Sequence, residues 1–191
     1  MADDDFFLDL LRRRMRVMNS LWERAVSDMT LEQVNHHERD GVLPIAFSLM
    51  HYMRSQDQSV SVIFLGQPPL WATGGWAEKI GVSADFLGRE ERVEVMQKLR
   101  FKDFDAYRAY QSEVIAQTDR VLDGLTVERL QEVFLPQVPE NFRQTFMSMV
   151  VGEGPVHRAE VLECFVYQHG LRHMGEIEHA RALVGLGGMT S

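Results

Sequence analysis

The sequence predicts an all-α fold: a four-helix bundle with a long crossover between its second and third helices. Three observations carry that expectation. Apolar residues recur every three or four positions over long stretches, strand-like alternation is missing, and glycine and proline gather mainly between the periodic stretches. With 191 residues, 45% hydrophobic and 25% charged, the chain reads as one domain over residues 1–191 with a sizeable core.

The elements follow in order. Leu8, Leu11, Met15, Met18, Trp22 and Ala25 form the apolar stripe of a first long helix, with Arg12, Arg13, Arg14 and Arg16 read as its solvated side. Met29 ends it, and Thr30 with Gln33 has the spacing of a capping box for a short helix. Pro44 suits the first turn of a second long helix that runs to about residue 64, where Gly66, Pro68 and Pro69 stop it. Residues 66–102 are irregular, punctuated by Gly74, Gly75, Gly81 and Gly88, with one helical stretch at 89–99; this is the crossover. A third long helix occupies residues 104–122. The segment Leu125-Thr126-Val127-Glu128-Arg129-Leu130 then echoes Met29-Thr30-Leu31-Glu32-Gln33-Val34, as if the fold had two similarly built halves. Pro136, Pro139 and Pro155 frame another irregular stretch before the last helix, residues 156–186.

Charge and cysteine use narrow the function. A formal net charge of −8 argues against a nucleic-acid surface. Asp3, Asp4 and Asp5 precede an apolar patch cut by Arg12–Arg14, the wrong order for a signal peptide, and no run is long enough to span a membrane. The single cysteine, Cys164, excludes an internal disulfide and fits a reducing cytoplasm; on a helical wheel it falls off the apolar centre. The eleven methionines fit an adaptable core or a homodimer interface.

The chemistry centres on His169 and His173. Four residues apart on the last helix, amid Leu162, Phe165, Val166, Ile177, Ala180 and Val184, they point the same way into a stripe that should face the core. Buried imidazoles need partners, and a divalent metal is one partner; hydrogen bonds or water are the other. His51, on the second helix, is the leading candidate for a third ligand. The wheel places it opposite the stronger stripe of Ile45, Leu49, Tyr52 and Met53, facing either a polar cavity or solvent. Glu176, three residues after His173, is read as a partner of an arginine, an orienting group, an additional ligand or a catalytic base. Gly170 and Gly175 mark close approach by another element, while His36, His37, His157 and His179 lie in polar surroundings. No pair of Glu-x-x-His motifs is present, which disfavours a diiron carboxylate bundle.

The run His169-Gly170-Leu171-Arg172-His173-Met174-Gly175-Glu176-Ile177 resembles the last-helix motif of the DinB-like superfamily. Pro44-Ile45-Ala46-Phe47-Ser48-Leu49-Met50-His51 is similar to its second-helix motif, and the two threonine-containing segments also match in order. The resemblance implies a four-helix bundle with a divalent metal held by His51, His169 and His173. Two positions depart from it: Glu176 replaces the usual glutamine, and Met174 stands where arginine is frequent. Three neutral imidazoles suit zinc or nickel, with iron or copper as alternatives. The similar families include thiol-dependent transferases and isomerases, such as mycothiol-dependent maleylpyruvate isomerase. That implies a metal-dependent enzyme acting on a low-molecular-weight thiol or a small electrophilic substrate, with Glu176 as proton acceptor and Trp71 and Trp76 as pocket walls or core anchors. A non-catalytic metal- or ligand-binding bundle and a metal-free structural bundle are the alternatives.

Overall fold

The computed structural model describes residues 2–83, 86, 88–89 and 92–188. Four long helices make the frame: α1 (Ala2–Ser27), α2 (Ile45–Gln58), α3 (Phe104–Asp123) and α4 (His169–Leu183). Helix α2 continues as a π-helix over Ser59–Phe64, and α4 is preceded by a π-helix over Val161–Gln168. Helix α1 packs against α3 and α4, and α2 packs against the same two, so α1 and α2 lie across the bundle from each other. They meet through large side chains: Trp22 stacks on Tyr52 with ring centroids 4.3 Å apart.

The caps follow the expected chemistry. Thr30 Oγ1 accepts from the Gln33 amide at 3.2 Å, and the Thr30 amide donates to Gln33 Oε1 at 3.0 Å, a complete capping box for Leu31–Val34. At the echo, Thr126 Oγ1 accepts from the Arg129 amide at 3.2 Å. The reciprocal bond is missing there, because arginine has no acceptor to return it. Pro44 is the N-cap residue of α2, one position ahead of the expected first turn.

Several expectations need correction. In the 89–99 stretch only Val93–Met96 is helical, and residues 90–91 lie outside the described residues. The last helical run begins at Arg158, not 156, because Val156–His157 is a strand, β2, paired antiparallel with β1 (Val133–Leu135). Its pairing partner is distant in sequence, so no local alternation announced it. Arg12 is not on a solvated face: Nε donates to the Leu122 carbonyl at 2.8 Å and Nη2 to the Leu125 carbonyl at 2.6 Å. A guanidinium there serves the free carbonyls at the end of α3 and opposes its negative dipole end. Arg14 pairs with Glu163 at 3.5 Å, and Arg16 with Asp119 and Asp123. Cys164 is buried, contrary to the wheel, because it sits in the π-helix, whose wider turn rotates each residue less than an α-helix does.

The crossover is held to the frame by polar groups the sequence did not advertise. Pro68 and Pro69 end the helical extension, and the next helix (Leu70–Thr73) has no side-chain cap of its own. Asp57 of α2, fully buried, accepts from the Leu70 amide at 2.9 Å and the Trp71 amide at 2.8 Å. Its remaining capacity takes the Ser61 and Tyr110 hydroxyls, each at 2.9 Å. Trp71 and Trp76 both pack on Tyr110 with centroids 5.5 Å away, so the tryptophans are core anchors. Asn35 closes the far end, donating to the Phe101 carbonyl and accepting from its amide, both at 2.8 Å.

The two glycines of α4 separate clearly. A Cβ at Gly170 would strike Met18 Sδ and come within 2.6 Å of Tyr52 Oη, whereas one at Gly175 would meet nothing within 4 Å. The close-approach reading therefore holds for Gly170 and fails for Gly175. Gly175→Ala should raise stability by up to about 1 kcal/mol, and Gly170→Ala should lower it by about 1–3 kcal/mol, both read from urea titrations. Asp57→Ala strands four buried donors and should cost about 3 kcal/mol or more in the same measurement.

Candidate metal centre

Helices α2 and α4 pack side by side, and each presents histidine at their contact. On α4 the i, i+4 spacing stacks His169 and His173 one turn apart, with ring centroids 4.6 Å apart. His51 comes from α2 with centroids 5.0 and 4.8 Å from those rings. The far side of α2, where the wheel left His51 undecided, is not open to solvent: residues 45–53 are all buried, and His51 is 8% exposed. The crossover provides that cover. Phe47 stacks on His51 at 5.6 Å and meets Phe86 edge-on.

The three Nε2 atoms converge. His169 Nε2 lies 3.2 Å from His51 Nε2 and 2.9 Å from His173 Nε2, and one ligand atom from each residue falls within 4.8 Å of the others. Two nitrogens bound to one tetrahedral zinc at its usual bond length stand about 3.3 Å apart, so the spacing suits a shared ion.

Hydrogen-bond accounting points the same way. His51 Nδ1 donates to the Gly88 carbonyl at 2.9 Å; a carbonyl only accepts, so a proton is on Nδ1 and Nε2 is turned inward. His173 Nδ1 donates to Glu176 Oε2 at 2.7 Å. That bond, foremost, holds the Glu176 carboxyl below its ordinary range, so the group is an ionised acceptor and the His173 ring turns Nε2 inward. Burial first, then the neighbouring His173 and His51, pushes His169 down to about 3, which keeps it neutral at physiological pH. A neutral His169 can offer at most one Nε2 proton, and two Nε2 atoms face it. Its Nδ1 is buried without a hydrogen-bond partner, and the Phe165 backbone offsets only part of the lowering. Three imidazole nitrogens facing one another at this spacing are a donor set that a divalent cation fits.

All three sequence-proposed ligands are thus brought together, with Glu176 beside them. Among the described residues Glu176 pairs with no arginine; it bridges His173 and Ser48, whose Oγ donates to Oε2 at 3.3 Å. Two contributors escaped the sequence reading. Ser48 had only its position three residues before His51 as a signal. The Gly88 carbonyl had none, since any residue has a carbonyl. Gly88 itself is needed there: its φ is +70°, and a Cβ would come within 2.6 Å of Arg54 Cβ. Arg54 steadies the same segment by donating to the Phe86 carbonyl at 2.7 Å.

The remaining histidines stay apart from the centre. His36 is exposed beside Glu38 at 3.0 Å, and His157 pairs with Glu160 at the start of the last helical run. Burial, foremost, pushes the Cys164 thiol up to about 11, so it is not a thiolate nucleophile. Among the described residues no helix is long and apolar enough to cross a membrane.

Comparison with known proteins agrees with this architecture. A crystal structure described as the conserved protein of a locus from Enterococcus faecalis superposes with a TM-score of 0.71 at 19% identity, covering 92% of this chain and 95% of that one. That likeness concerns the fold alone. No curated protein matches the sequence. The sequence model of the DinB superfamily matches residues 14–177, and on that extent the chain belongs to the DinB superfamily.

Proposed function

We propose that this protein is a metal-dependent enzyme, a transferase or isomerase joining a low-molecular-weight thiol to a small electrophile or rearranging such an adduct. The observation that carries the reading is the convergence of three imidazoles whose Nε2 atoms lie 2.9–3.2 Å apart along the chain His51–His169–His173. Zinc or nickel fits that donor set best, with iron as an alternative.

A bound divalent ion with an open position would supply Lewis acidity, lowering the pKa of a thiol or water and polarising a carbonyl. The protein's own groups do the rest. Burial holds His169 neutral, the state in which imidazole binds metal, and hydrogen bonds at Nδ1 orient His51 and His173. Phe47, flat against His51, and Phe86 behind it keep water from the crossover side. Glu176 is ionised and its side chain is 56% exposed, so it can receive the thiol's proton and pass it to solvent.

Metal content by mass spectrometry on untagged protein tests the first half. The expected result is about one zinc or nickel per chain, lost in His51→Ala and His169→Ala while the far-ultraviolet circular dichroism spectrum is retained. A wild type that neither carries nor takes up either metal overturns the reading. The second half is tested by turnover: metal-loaded protein should consume a small thiol in the presence of an activated alkene or enone, and a chelator should abolish the rate. Metal binding without turnover across such a screen would instead make the chain a metal-binding bundle.

A further inference from the structure

The three histidines are not held alike. His51 is fixed by a backbone carbonyl of the crossover, His173 by a carboxylate, and His169 Nδ1 by no hydrogen bond. The His173 arrangement is the one made of side chains. Glu176 Oε2 accepts both from His173 Nδ1 and from Ser48 Oγ. Ser48 stands on α2 three residues before His51, and Glu176 stands on α4 three residues after His173. One carboxylate oxygen therefore ties together the two helices that carry the ligands.

An ordinary structural role accounts poorly for this carboxylate. Its side chain is more than half exposed, and the ion pairs of the described residues give it His173 alone, with no lysine or arginine. The open surroundings would let it turn to solvent, yet it makes a 2.7 Å bond to a histidine that is itself buried.

We infer that Ser48 and Glu176 form a positioning pair that locks His173 in the Nδ1–H form, with its Nε2 lone pair committed to the metal. This rests on the metal-centre reading above. Glu176 acts through His173: a carboxylate behind an imidazole orients the ring and strengthens its donation to the ion. The role requires an acceptor at this position, not a charge as such. Glutamine can supply an amide oxygen and alanine cannot, so the two substitutions separate positioning from mere presence of a side chain.

The test measures zinc affinity by competition with a chromophoric chelator, and the His173 tautomer by ¹⁵N NMR of the metal-free protein. Glu176→Ala should weaken zinc binding roughly 10- to 100-fold and shift His173 away from the Nδ1–H form. Glu176→Gln should restore affinity to within about threefold of wild type while keeping the tautomer. Ser48→Ala, which removes one long hydrogen bond, should cost about two- to fivefold. A Glu176→Ala protein that binds zinc as tightly as wild type, or retains the Nδ1–H form of His173, overturns the inference. Failure of the metal reading looks different: wild type itself would bind no zinc, and the tautomer measurement would still decide what Glu176 does to His173.

Discussion

An imidazole has two nitrogens, and what one of them does settles what the other can do. The site rests on that constraint. His51 donates its Nδ1 hydrogen to the Gly88 carbonyl and His173 donates its own to Glu176, so both turn Nε2 toward His169. In a buried setting, facing lone pairs are unfavourable until something electron-poor lies between them. The outward hydrogen bonds thus set up an inward demand that a cation would meet.

Meeting that demand needs helices held in fixed register, and much of the buried polar structure serves this end. Asp57 anchors the start of the crossover two turns after His51, and Asn35 anchors its end at Phe101. Between them the chain returns over α2, where the Gly88 carbonyl reaches His51 and Phe86 meets Phe47. On the other side, Gly170 brings α4 against Tyr52 and Met18 one residue after His169. A longer side chain there would push apart the helices whose separation sets the nitrogen spacing. The π-helix over Val161–Gln168 belongs to the same geometry, since it shifts the rotational phase of His169 and His173 just beyond it.

The rest of the basic first helix shows how far a linear reading goes. Arg12–Arg16 looked like a solvated face, and Arg13 is exposed. Arg12 instead crosses to the end of α3, because a long side chain with five donors reaches carbonyls that no neighbour in sequence supplies. Asp57 was equally silent: a lone aspartate in a helix gives no sign of four partners spread over Ser61, Leu70, Trp71 and Tyr110.

By itself the sequence determined the helical class, the long crossover, both threonine-capped turns and the pairing of His169 with His173. Each of these depends on residues within a turn or two of one another, where periodicity and capping chemistry act. The tertiary structure alone decided that His51 faces inward, that Glu176 bonds to histidine and serine instead of arginine, and that Cys164 is buried. It also made the pairing of Val133–Leu135 with Val156–His157. His51 shows the reason most directly. Helix α2 is covered on both faces, one by the core and one by the returning crossover, and a wheel that assumes a wet side cannot distinguish the second cover from solvent.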